Sequence, residues 1–368
     1  DDVHFDAKIN LPGNQAQWGD IPPLENLKGK VRITETNPEF ENVTANFLGG
    51  AFKIASAPST AGNTSFSIGG DINASFIKDY VSGNLTSRTH PALLSAMSGS
   101  AKYEGLINFN KAGSQTSLKF DLRNWASSAP VPAKKLAGTP MVGELNLKTY
   151  AANKNNPIRA DWSGKLGDQY FIQGNLNTAG EVKNALGIGS SAPLPLQGIA
   201  LHLASNELNL DQWVDFLSLG KLKSEVNKAD APEQDIQISA QIKKLIALDR
   251  EWLDVNIQSQ KKNMIWQLRL NSPQIAGQVQ WHPSSSDHPS GFISGKLARL
   301  KVSDQRISSD LFTKEDTPQK LVALKTPVSP NAIPSLDLRI DDLSWRRAKF
   351  GTVQIKSKTS NDLMKIDS

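Results

Sequence analysis

Ser75 and Lys78 stand three apart in Ser75-Phe76-Ile77-Lys78, the spacing of serine acylases in which lysine assists the nucleophile. The Ser-Asp-Asn and Lys-Thr-Gly elements that accompany that pair in such enzymes are missing, so the match reads as chance. Gly187-Ile188-Gly189-Ser190-Ser191-Ala192 has the look of a dinucleotide turn. Pro193 and Pro195 follow at once, which leaves no helix N-terminus to hold a phosphate. The five histidines, His4, His90, His202, His282 and His288, share no metal-ligand spacing with one another, and there is no cysteine. His202 falls on the polar phase of a strand run. Asp341 and Asp342 could form an acid pair, but adjacent strand residues face opposite ways, so the two read as turn acids. Asn42, Asn63, Asn73 and Asn84 open Asn-x-Ser/Thr sequons, which arise readily in Asn/Ser-rich sequence. No reaction, metal or cofactor is implied by any of these, and the chain reads as a non-enzyme.

The residues that do form a pattern are apolar. Trp266, Leu268 and Leu270 alternate with Gln267, Arg269 and Asn271. Leu336, Leu338 and Ile340 alternate with Asp337, Arg339 and Asp341. Ile236, Ile238, Ala240 and Ile242 form a third such run. A period of two puts all the apolar side chains of a strand on one face. Applied to neighbouring runs, it predicts one shared apolar surface made of Val255, Ile257, Trp266, Leu268, Leu270, Ile275, Val279, Trp281, Leu336, Leu338 and Ile340.

Strand-like runs of this kind recur between turn signals through all 368 residues. Helical signals are few. Leu210, Trp213, Val214 and Leu217 share a helical face, with Asn209 or Asp211 as cap. Ser75 to Val81 and Pro91 to Met97 are short candidates. Residues 206–233 read as a short helix plus a charged linker, and residues 303–334 as a Pro-rich loop insertion. The pattern keeps its character across both, so residues 1–368 are read as one continuous segment. The fold class expected is mostly β: an elongated, twisted antiparallel sheet with short connections and little helix. A closed sandwich would repeat its closure at roughly 100-residue intervals, and no such interval is visible. A long open sheet leaves an apolar strip too large for solvent, and something must cover it.

Net charge is +5, with Lys and Arg scattered singly on the polar phase of strands. That is a solvated face rather than a nucleic-acid stripe. Arg346-Arg347-Ala348-Lys349 reads as a hairpin turn. A large cysteine-free chain suits an oxidising compartment such as a bacterial periplasm. With no signal peptide and no membrane-length apolar stretch, the sequence is read as a piece of a longer protein whose membrane anchor, if any, lies outside it.

Several segments resemble one family. Pro334-Ser335-Leu336-Asp337-Leu338-Arg339-Ile340-Asp341-Asp342-Leu343-Ser344-Trp345, followed by Phe350-Gly351-Thr352-Val353-Gln354-Ile355, is similar to the recurring unit of YhdP-like proteins. These belong to the AsmA-like group, which includes TamB. Similar too are Ile265-Trp266 through Trp281, Gly291 through Leu300, Leu208-Asn209-Leu210-Asp211-Gln212-Trp213, Pro22-Pro23-Leu24 through Val31, and Leu48-Gly49-Gly50. The resemblance therefore runs nearly end to end. It implies a repeating β-groove in the periplasmic part of an inner-membrane-anchored envelope protein. It also implies phospholipid acyl chains carried along that groove between inner and outer membranes, with no catalytic residues and no cofactor. The eleven residues above would line the groove. The competing expectation is a non-catalytic envelope scaffold whose apolar face is closed by its own core. A carbohydrate-active β-solenoid is the third reading. It wants clustered carboxylates and exposed aromatics on the polar phase, whereas the aromatics here follow the apolar one.

Overall fold

The structure is a computed structural model that describes residues 5–17, 21–34, 38–60, 62–84, 91–151, 159–221, 235–285, 288, 290–302, 334–360 and 363–367. Strands account for 68% of it, against the usual quarter, and three short helices for most of the rest of the regular structure. The mostly-β expectation holds. Packing divides the chain into two units: Asp1–Gly198 with Gln212–Ala231, and Ile199–Asp211 with Pro232–Ser368.

The first unit contains β1 (Asp6–Ala16), β2 (Leu24–Thr34), β3 (Pro38–Phe47), β4 (Gly50–Ala57) and β5 (Thr64–Asn73). Two helices follow, α1 (Ala74–Asn84) and α2 (Pro91–Ala96). Then come β6 (Met97–Asn110), β7 (Gly113–Asp121), β8 (Trp125–Ser127), β9 (Val142–Tyr150), β10 (Arg159–Leu166), β11 (Tyr170–Leu176) and β12 (Val182–Ile188). From β1 to β7 each strand pairs antiparallel with the next, β7 then pairs with β9, and the meander continues to β12. The short β8 pairs instead with the start of β6.

The second unit begins with β13 (Gly198–Asn209), which leads into α3 (Leu210–Lys221), a helix that belongs to the first unit from Gln212 onward. It continues with β14 (Ile236–Ala247), β15 (Arg250–Lys262), β16 (Ile265–Asn271), β17 (Ile275–His282), β18 (Phe292–Val302), β19 (Ser335–Trp345), β20 (Ala348–Ser360) and β21 (Leu363–Asp367). The sheet is mostly antiparallel, as expected, with two parallel junctions in this unit. β13 pairs parallel with β14, and β18 parallel with β19, while the five strands β14 to β18 form an antiparallel meander. Parallel neighbours need a connection long enough to return to the starting end. The two stretches read from sequence as linker and insertion supply it. Residues 222–234 and 303–333 themselves lie outside the described residues. Neither unit closes into a barrel.

All three expected helices form. On α3, however, Leu210 and Val214 are exposed, while Trp213 donates its indole N–H to the Val131 carbonyl at 2.8 Å. Of the two caps the sequence offered, Asn209 immediately precedes the helix, and the other is Asp211, inside its first turn. Its carboxylate accepts from the backbone N–H groups of Leu248 and Asp249, both at 2.9 Å. Those two residues are the whole turn between β14 and β15, with φ of 58° and 56°. Positive φ at both positions matches the twist of the hairpin but costs a β-carbon residue about 1–2 kcal/mol. The Asp211 carboxylate compensates by satisfying both turn donors. Arg346 and Arg347 form the β19–β20 turn, as the sequence indicated.

Asp211→Ala is expected to lower unfolding stability by about 1–3 kcal/mol, because two turn donors lose a charged acceptor. Adding Leu248→Gly should restore part of that loss by removing a strained β-carbon. Urea unfolding of the single and double variants measures both effects.

Candidate functional site

Cross-strand register decides where the apolar side chains go. In the second unit one row runs Leu203, Ala240, Ile257, Leu270, Gly277, Leu297, Ile340 and Val353, each the direct partner of the next. The adjoining row on the same face is Leu201, Ile238, Ser259, Leu268, Val279, Gly295, Leu338 and Ile355. A third is Ile199, Ile236, Lys261, Trp266, Trp281, Ile293, Leu336 and Ser357. The opposite face carries His202, Ser239, Gln258, Arg269, Gln278, Lys296, Arg339 and Gln354 in one unbroken row.

The eleven residues singled out from sequence all stand on the apolar face. Val255 and Ile340 are buried, and the other nine are half-buried. Ile275 pairs with Leu300 at the far end of the surface, and Val255 with Ile242. Their alternates Gln267, Arg269, Asn271 and Gln278 are exposed on the other side.

The first unit has an equivalent surface that sequence reasoning missed. Val43, Ile54, Ile68, Gly105, Leu118, Leu145, Gly164, Ile172 and Leu186 are consecutive partners from β3 to β12. Beside them run Ala45, Phe52, Gly70, Tyr103, Phe120, Gly143, Leu166, Tyr170 and Ile188. The glycines hid the pattern by interrupting the apolar alternation. They stand where large neighbours need room: a β-carbon on Gly174 would sit inside the Trp162 indole, and one on Gly143 would press on Phe120 and Leu166. The opposite face has a charge ladder, Glu104, Lys119, Glu144 and Lys165, in cross-strand order.

Three β-bulges keep charge off the apolar face. An extra residue at Asn42, with φ of 49°, lets Glu41 pair with Lys30 while Phe40 packs edge-on against Phe66 at 4.9 Å. A shift at Ala276/Gly277 sets Leu300 opposite Ile275, and Arg299 donates to the Ser272 carbonyl at 2.7 and 3.0 Å. A third lies between Ile340 and Leu343. It corrects the turn reading of Asp341 and Asp342, which are strand residues. Asp341 takes an ion pair from Lys296 at 2.9 Å and one from Arg339 at 3.0 Å. The Lys296 hydrogen bond, then that of Arg339, holds its carboxyl below the usual carboxylate range. Each bulge shifts the phase by one residue. Without it, the strict alternation of β3, β18 and β19 would turn Glu41, Arg299 and Asp342 inward.

The surface is not packed like a closed core. Of the twenty-one buried hydrophobic residues among those described, eleven are alanines, and the largest fully buried side chains are only Ile340, Val43 and Val255. A compact cluster does exist, with Ala240, Ile242, Leu245 and Val255 at its centre.

The motif candidates do not assemble into chemistry. Ser75 and Lys78 both lie on α1, and the Lys78 ammonium donates to the Ser95 carbonyl. His202 shares a 2.7 Å hydrogen bond with Ser239, and His288 and His282 lie 4.8 and 5.7 Å from the Phe292 ring. His4 and His90 lie outside the described residues. Among the described residues no group of acidic or histidine side chains could hold a metal, and no helix is long and apolar enough to cross a membrane.

A family model, described as YhdP protein, matches residues 1–368. The chain belongs to the YhdP family. No curated protein and no solved structure matches it. Membership suggests an AsmA-like, lipid-transport-related protein of the bacterial envelope.

Tyr103 offers a test of how dry the apolar surface is. Its hydroxyl is buried without a hydrogen-bond partner. Burial, with the nearby Asp71 carboxylate second, pushes it up to about 12. A folded value above the unfolded value of about 10 means that stability is intact below pH 10 and lost as pH rises towards 12. Tyr103→Phe is expected to stabilise by about 1 kcal/mol at pH 7, since it deletes an unpaired buried group. It should also remove about 2–3 kcal/mol of the alkaline loss. Unfolding midpoints at pH 7, 10 and 12 check both.

Proposed function

We propose that this chain is a non-catalytic conduit segment that carries phospholipid acyl chains along the apolar faces of its sheets. The observation behind this reading is the uninterrupted apolar row, which runs across the strands rather than along one of them. At about 4.8 Å per strand, the eight strands from β13 to β20 extend it to about 34 Å. One acyl chain fills about half of a ~30 Å hydrocarbon core. The row is therefore longer than one lipid needs to bind and suits lipids arranged in file or moving. In the proposed setting the chain is the periplasmic part of an inner-membrane-anchored protein, with its anchor outside these residues, and it serves phospholipid passage between inner and outer membranes. It takes no cofactor and no nucleic acid.

The scaffold alternative is favoured by one observation, the cluster around Ile242 and Val255, which packs as a closed core. The two readings differ in what an introduced charge does. On a lipid-facing surface, Leu268→Asp or Leu338→Asp places an unpaired charge in the path. That costs several kcal/mol to each passing chain while leaving the fold standing. Expected in cells carrying the full-length protein is loss of lipid transport at near-normal protein level. A scaffold would instead unfold or be degraded. Photo-crosslinkers at Trp266 and Leu338 should capture phospholipid, and those at Gln267 and Arg339 should not. Equal capture at both pairs, or none, favours the scaffold.

A further inference from the structure

The apolar faces exclude charge with one exception. From β4 to β12, leaving out β8, the face positions that continue the two rows of the first unit hold no Asp, Glu, Lys or Arg. In the three rows of the second unit the single charged residue is Lys261. It is half-buried, with Ile236 as its partner on one side and Trp266 on the other, and Trp266 in turn faces Trp281. Among the described residues its ammonium makes no ion pair or hydrogen bond. Its place is at the strand ends, beside the Asn263–Met264 turn, where Met264 is 49% exposed. Three bulges keep other charges off these faces, so a lysine left on one of them calls for an account. A cation on an apolar face in register with an indole residue has the placement that such side chains adopt at a lipid–water boundary.

We propose that Lys261 contacts the phosphate diester of a lipid whose acyl chains lie along the Leu268 and Leu270 rows, with Trp266 and Trp281 at the boundary between chain and headgroup. This rests on the conduit reading. The ammonium supplies the missing counter-charge to an anion that the rest of the face cannot hold, and the headgroup stays at the rim.

The test uses the full chain with a benzophenone side chain in place of Leu268, mixed in detergent micelles with dioleoyl phosphatidylglycerol or with dioleoylglycerol. The two have the same acyl chains, and only the first has a phosphate. Intact-mass spectrometry after irradiation should show roughly fivefold more capture of the phospholipid, the scale of one partly exposed charge contact. Lys261→Met should level the two by lowering phospholipid capture alone, and Lys261→Arg should keep the preference. A preference unchanged in Lys261→Met overturns the proposal, leaving the lysine a solvated end of its strand. Lys261-dependent binding of inorganic phosphate to the lipid-free chain, with no phospholipid preference, marks a free-anion site and also overturns it. Capture of neither lipid by any variant removes the conduit reading, and the proposal with it.

Discussion

In-register pairing is the constraint on which this structure depends. A strand has two faces, and each backbone ladder passes the choice of face to the next strand. Once Ile257 is paired with Leu270, and Leu270 with Gly277, the positions of Leu297, Ile340 and Val353 are settled strand by strand. No second layer is needed to align them. The two parallel junctions preserve this order because each matches residues of the same phase, Leu203 with Ala240 and Leu297 with Ile340. A parallel neighbour shifted by one residue would have turned the following strands inside out. The long connections allow β14 and β19 to begin again at the correct end.

Stability and the apolar surface make opposing demands. A sheet covered by a core gains most from large side chains buried on that face. Here about half of the buried apolar positions are alanines, and most of the large side chains of the rows, apart from Val43, Tyr103, Leu297 and Ile340, are not fully covered. Stability must then come from the ladders, from cross-strand pairs such as Tyr103 with Phe120, and from ion pairs on the outer face. Lys244, bridging Glu207 at 2.7 Å and Glu251 at 3.9 Å, is one of these, and the Glu207 hydrogen bond raises its pKa above the ordinary lysine value. Such exposed pairs are individually weak. They do leave the other face free of any structural need for charge.

Much of this was legible from residue order. Runs such as Trp266 to Asn271 have only one phase available, and the eleven residues chosen from them share a face in the structure. The helices were visible as well, with starts read at Ser75, Pro91 and Leu210, within one residue of those observed. The N-terminal surface was not, because Gly70, Gly105, Gly143, Gly164 and Gly174 occupy inward positions and carry no side chain to mark the phase. Nor were the parallel junctions, since strand direction leaves no trace in a period of two. The role of Asp211 escaped for a similar reason: its partners, Leu248 and Asp249, are distant in sequence and contribute only backbone N–H groups.

The bulges are the strongest argument that the uncharged face has a use beyond packing. A bulge interrupts the ladder and leaves a residue unpaired, so it weakens the sheet locally. If solubility were the only requirement, letting Glu41, Arg299 or Asp342 turn inward on an exposed surface would cost little, because exposed charges are readily solvated. Instead β3, β18 and β19 each break their own alternation, and each break puts an apolar residue, Phe40, Leu300 or Leu343, at the inward position. β14 and β15 do the same by another route. Asp254 adopts a φ of 47°, the phase changes after Ile242, and Leu245 packs inward with Trp252 while Lys244 and Glu251 pair outside. Four separate distortions with one outcome indicate that a charge on this face would be costly in use. That is what the proposed conduit would require of a surface meant to face hydrocarbon rather than water.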